Sequence, residues 1–195
     1  MDDLIFYPPA ISKRNQWYRF FSCGLIHADF GHLIFNMIAL YMFGEIVEKE
    51  FLGIFGPMGK LVYLAMYVLA LAASVIPTYI NNKDNYHYRS LGASGAVSAV
   101  VFAYMLFDPM TKMGLLFLPI YIPGFLFGIL YLAISSWLEK KGGANINHSA
   151  HIWGAVFGIA FVIVACRLFS NYPVLQAFID QVKNTKASDL IQFGR

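Results

Sequence analysis

Scanning the chain for Asp, Glu, Lys and Arg separates short charged stretches from long uncharged ones. Four stretches carry none of these residues: Leu61–Asn82, Ser90–Phe107, Met113–Leu138 and Gly142–Cys166. Each reaches or approaches the roughly 20 residues that a helix needs to cross a bilayer. A fifth, Phe30–Gly44, is shorter and extends as a helix past Glu45 and Glu48 into the interface. Backbone polar groups in lipid must be satisfied within the segment, and polar/apolar alternation is absent, so the pattern predicts helices rather than strands. The expected spans are about 32–50, 60–81, 91–107, 113–138 and 148–169. Pro119 and Pro123 fall in the fourth, which is expected to kink or to start late after an interfacial piece, a gating hinge being the sharper alternative.

The domain reading is an N-terminal segment and membrane-associated first loop over 1–29, a transmembrane core over 30–169 and a polar, peripheral tail over 170–195. The first segment combines Pro8-Pro9, the basic Lys13, Arg14 and Arg19, and Trp17-Tyr18, which suits a piece lying on the membrane surface. The fold class is all-α, polytopic and membrane-embedded.

Composition agrees. Hydrophobic residues make up 58% and charged residues 13%, against about 45–50% and about 25% in soluble domains. That excludes an ordinary cytosolic enzyme, a disordered chain and a nucleic-acid module. A net charge of +3 is too small to imply an anionic partner. Cys23 and Cys166 make no disulfide framework and read as inert packing. Orientation does not follow from basic residues, because the two sets of loops hold seven each.

Polar side chains within spans are functional candidates by default. They cluster at His32-Leu-Ile-Phe-Asn36, Gly92-Ala-Ser94-Gly95 and Ala150-His151-Ile-Trp-Gly154. These open the first, third and fifth spans, which run parallel, so their starts share one membrane face. His32, Asn36, Ser94 and His151 therefore share a depth. A serine hydroxyl becomes nucleophilic when a base within hydrogen-bond reach takes its proton, and His151 can act as that base near neutral pH. The small residues around Gly95 on one helix, with Gly154 and Gly158 on the other, allow the close approach this needs. Oxyanion donors are available in the Asn36 amide, a ring N–H of His32 and the Ser94 backbone N–H at a helix start. The nearest downstream acid, Asp108, lies at the far end of the third span, so the expectation is a dyad, not a triad.

Blander readings stand beside these. Gly-x-Ser-Gly in a membrane helix usually serves packing, and Ser98 is the ordinary case of a serine bonding a helix carbonyl. His148 and His151 at i, i+3, joined by His32, would give three metal ligands, yet no His-Glu-x-x-His is present and no carboxylate adjoins them. No metal and no cofactor are expected. His27 and His87 read as loop residues, and Glu45 and Glu48 as an interfacial cap.

Taken together, the motifs resemble the rhomboid family of intramembrane serine proteases. The matching elements are Trp17-Tyr-Arg19, His27-Ala-Asp-Phe-Gly-His32-Leu-Ile-Phe-Asn36, Gly44-x-x-x-Glu48, Gly92-Ala-Ser94-Gly95 and Ala150-His151-x-x-Gly154-x-x-x-Gly158, from about Trp17 to about Arg167. The resemblance implies a helical bundle opening to the extracytoplasmic side, with Ser94 as nucleophile, His151 as general base, and the Ser94 N–H, His32 and Asn36 as oxyanion donors. It implies that Trp17 and Arg19 belong to a membrane-embedded loop propping the bundle. It further implies transmembrane protein substrates cleaved near their outer end, and a multi-pass protein of a bacterial inner membrane. Partners are thus membrane proteins and the bilayer, not nucleic acid, with oligomeric state open.

Two departures from the family pattern follow. The family core has six spans, one before the first loop, whereas five are visible here; a start placed too late is the favoured expectation, and a protein lacking that helix the other. Position 98 is Ser where some members place an aromatic against the base, which leaves the His151 ring less constrained. The competing functions are a non-catalytic rhomboid-like protein that binds transmembrane clients, and a small transporter or channel using intramembrane His and Asn; against the latter, the spans carry no buried carboxylates and show no repeat symmetry.

Overall fold

The computed structural model describes residues 2–114, 120–141, 146–186 and 190–193. Its order is α1 (Pro8–Arg14), α2 (Arg19–Ser22), α3 (Phe30–Phe55), α4 (Gly59–Ala73), α5 (Ile76–Asn82), α6 (Ser94–Phe107), β1 (Lys112–Gly114), β2 (Ile120–Pro123), α7 (Gly124–Lys141), α8 (His148–Phe169), α9 (Val174–Lys183) and β3 (Gln192–Phe193).

The spans form where the uncharged stretches predict them, with ends set by local chemistry. Asp29 starts α3 by accepting the His32 backbone N–H at 2.8 Å. Gly56, at φ 58°, ends it. The second span is broken at Ser74–Val75 rather than continuous. Pro77 is the cause: it has no N–H, and its ring excludes the carbonyl of Ala73 from a regular turn. The fourth span is corrected more strongly. Its N-terminal part is not helix but an antiparallel hairpin, Lys112 opposite Pro123 and Gly114 opposite Tyr121, and the helix starts late, at Gly124. Pro119 lies outside the described residues. The hairpin satisfies its backbone groups between strands, as a membrane-end segment must. β3 adds to β2 as a third strand.

The bundle is built around α6, which lies against α8, α3, α4, α7 and α9. Nearly every side chain of α6 is buried, Ala96, Ala99, Val100 and Ala103 among them. At 14 residues it is shorter than a spanning helix. Gly154 and Gly158 of α8 sit directly on the carbonyls of Gly95 and Ala99, where any Cβ would collide with backbone. Among the described residues, two stretches have the length and apolarity of spans, Phe30–Asn82 and His148–Phe169, the first folding back on itself as α3 and then α4–α5. The outer faces are apolar and exposed, Tyr41 at 74% and Phe169 at 72%, as lipid-facing surface requires.

The first segment is tied down. Arg19, 3% exposed, donates to the carbonyls of Asp2 (2.8 Å) and Ile5 (2.7 Å) and to Gln16 (2.7 Å). Trp17 stacks on Phe20 at 6.0 Å and meets Tyr79 of α5. Glu48, read as a cap, pairs with Lys60 at 3.7 Å, and Gly44 makes room for the Tyr63 hydroxyl. The segment after Phe169 is not a free tail. Val174 is buried in the main core, and Gln181 donates to the Phe107 carbonyl at 3.0 Å, so α9 closes the lower end of α6.

Candidate active site

Ser94 is the first residue of α6, so its backbone N–H has no intrahelical acceptor. His151 is in the first turn of α8, whose N-terminus is capped by Asn147 accepting the Ala150 N–H at 3.0 Å. The glycine contacts between α6 and α8 bring these two starts together. Ser94 Oγ and His151 Nε2 are 2.7 Å apart. With Nε2 accepting from the hydroxyl, the imidazole proton resides on Nδ1.

Both line a cavity of about 1110 Å³ that also contains His32, Asn36 and the loop before α6, with the exposed Asp29, His87 and Arg89 at its rim. His32 Nδ1 accepts from the Ala28 N–H at 3.5 Å, which leaves the ring proton on Nε2 as a donor. That ring is seated against Gly92, at φ 116°, where a Cβ would lie 2.7 Å from His32 Cε1. Asn36 is 5% exposed and gives one amide N–H to the His32 carbonyl at 3.0 Å, with the second available. The four residues singled out from the sequence are thus brought to one cavity, with Gly92, Gly95, Gly154 and Gly158 shaping it. Trp17, Arg19 and Glu48 lie away from it, in the scaffold.

His27 contacts His32 edge-on at 5.1 Å, and burial together with that neighbour pushes its pKa below the ordinary histidine value. His148 is buried and meets the His151 ring edge-on at 6.0 Å. Among the described residues no group of three His, Cys, Asp or Glu is disposed to hold a metal ion. Asp108 is at the opposite end of α6, bound to Thr111.

Two participants, Tyr131 and Asn147, escaped the sequence reading, and Ser98 has another partner than the one expected. Ser98 does not bond a helix carbonyl; its hydroxyl lies 3.4 Å from that of Tyr131 on α7. Tyr131 itself stacks on His151, centroids 6.3 Å apart and planes within 21°, so the base is faced by an aromatic after all. Asn147 accepts from Thr78 at 3.2 Å and donates to Ser90 at 3.4 Å, joining α5, the loop before Ser94 and α8. The Asn before a helical pattern signals a cap. Nothing local in the sequence marks Tyr131.

A family model described as a rhomboid domain matches residues 14–168. The chain is 30% identical over 152 residues to RHOMBOID-like protein 12, mitochondrial, of Arabidopsis thaliana, covering 73% of this chain and 45% of that one. It is 27% identical over 177 residues to Rhomboid protease GlpG of Haemophilus influenzae, covering 87% and 82%. It is 29% identical over 140 residues to Presenilin-associated rhomboid-like protein, mitochondrial, of Homo sapiens, covering 70% and 35%. The chain thus spans less than half of the Arabidopsis and human relatives and most of the Haemophilus one. With the helical bundle, the apolar outer faces and a family match over most of its length, this chain is an integral membrane protein that belongs to the rhomboid family.

Proposed function

We propose that the chain is an intramembrane serine endopeptidase that cleaves transmembrane segments of other membrane proteins near their outer end. The observation that carries this is the 2.7 Å bond between Ser94 Oγ and His151 Nε2 inside a cavity with a polar rim. His151 Nε2 takes the Ser94 proton as Oγ attacks the substrate carbonyl. The resulting oxyanion accepts from the Ser94 N–H, His32 Nε2–H and the free Asn36 N–H. His151 then gives its proton to the leaving amine as the C–N bond breaks, leaving an acyl ester on Ser94. Water entering from the rim, deprotonated by His151, hydrolyses the ester and restores the hydroxyl. A helical substrate hides its carbonyls in its own hydrogen bonds, so small residues and a weak helix at the cleavage site favour reaction. The membrane we propose is a bacterial inner membrane, with the cavity facing the extracytoplasmic side; the Haemophilus relative supports a bacterial source only, and other relatives are named as mitochondrial.

The test is cleavage of a labelled single-span substrate in liposomes by the chain and by its Ser94→Ala variant. Cleavage by the unmodified chain alone is the expected result. Cleavage by both removes Ser94 as nucleophile. Stable capture of the substrate without cleavage by either replaces the protease reading with that of a client-binding protein.

A further inference from the structure

A general base must aim one lone pair, and a single hydrogen bond does not fix an imidazole. The terminal torsion of histidine is broad, so the ring can turn about its axis unless something lies on its face. In this chain that face is covered by Tyr131, whose ring is nearly parallel to the imidazole at 6.3 Å, in the offset manner that aromatic rings favour. Tyr131 is itself held at two points. Its hydroxyl lies 3.4 Å from Ser98 Oγ, and its ring leans on Phe102 with centroids 5.8 Å apart. Ser98 is four residues after Ser94, one turn along the same face of α6. The contacts therefore close a circuit: Ser94 to His151, His151 to Tyr131, Tyr131 to Ser98, and Ser98 back to Ser94 through one helical turn. Three helices, α6, α7 and α8, each supply a corner.

We propose that Tyr131 is a positioning residue that holds the His151 imidazole toward Ser94, so that the dyad is competent only while α7 is seated against α6 and α8. The proposal rests on the endopeptidase reading. Tyr131 touches neither the nucleophile nor the scissile bond; it acts through the base. The ring carries the effect on His151, and the hydroxyl bond to Ser98 sets the height of the ring.

The experiment uses the full chain in liposomes with three variants, Tyr131→Phe, Tyr131→Leu and Ser94→Ala. It has three readouts: kcat and KM for a single-span substrate, the rate at which a fluorophosphonate labels Ser94, and the midpoint of thermal unfolding. Labelling needs the base but no substrate binding, so it separates base positioning from substrate capture. Tyr131→Leu is expected to lower kcat and the labelling rate together by about tenfold to a hundredfold, as misaimed catalytic groups do, with KM unchanged. Its midpoint is expected to stay within about 4 °C. Tyr131→Phe keeps the ring and is expected to restore most of both rates. Unchanged kcat and labelling in Tyr131→Leu, with the unmodified chain active, overturn this proposal and leave the protease reading intact. Equal damage from Phe and Leu also overturns it, because the ring would then not be the agent. An unmodified chain that neither labels at Ser94 nor cleaves overturns the protease reading, and this proposal with it.

Discussion

The carbonyl of Gly95 stands against the Cα of Gly154, leaving no room for a side chain between them. This contact, repeated a turn later between Ala99 and Gly158, sets how near Ser94 and His151 come. Gly154→Ala is expected to cost about 1–3 kcal/mol, because its Cβ meets backbone that cannot rotate away. The turnover rate is expected to fall about a hundredfold as the dyad is pulled apart. Thermal unfolding and substrate cleavage measure the two effects; a variant with unchanged midpoint and rate would remove the contact as the spacer of the site.

Gly92 supports a second expectation. Its φ of 116° is strained for any other residue, and a Cβ there strikes the His32 ring. Gly92→Ala should lose about 1–3 kcal/mol. Displacing the His32 donor should lower kcat by about a hundred- to thousandfold, since one oxyanion donor contributes that much. The pattern to look for is a fallen kcat with KM little changed. A KM effect alone would give His32 a role in substrate binding instead.

Asn147 joins a cap to a cross-link, and two substitutions separate them. Asn147→Ala removes both and should destabilise by about 1 kcal/mol through the lost cap alone. Asn147→Asp retains the accepting oxygen for Ala150 and Thr78 but loses the donor to Ser90. It is expected to keep the stability of the unmodified chain while lowering turnover, by loosening the loop that leads to Ser94. Equal stability loss in both variants would assign Asn147 to folding only.

The spans and the convergence of His32, Asn36, Ser94 and His151 were legible in the sequence because lipid excludes charge and because alternate helices begin at the same face. The break at Ser74–Val75 had its signal in Pro77. The hairpin before Gly124 had only an ambiguous one, since an apolar strand and an apolar helix look alike when neither shows a polar face. Tyr131 was invisible for a deeper reason. In helices apolar on all sides, periodicity does not say which residue faces which neighbour, so a tyrosine on α7 carries no mark of the histidine it meets on α8. The docking of α9 was hidden differently: Val174 and Phe178 are spaced four apart in a segment whose overall polarity suggested solvent.

The shortness of α6 bears on the cleavage proposed above. Its 14 residues give about 21 Å of helix against roughly 30 Å of hydrocarbon. The charged Asp108 and Lys112 follow its far end, and charge belongs at a membrane surface, so the deficit is expected on the side of Ser94. A helix severed at that depth keeps only about six apolar residues on its outer fragment, about 9 Å of anchor where about 30 Å is needed. So short a stub does not stay in the bilayer. If the chain is the proposed endopeptidase, the turns that α6 lacks make each cleavage a release of the outer fragment into water.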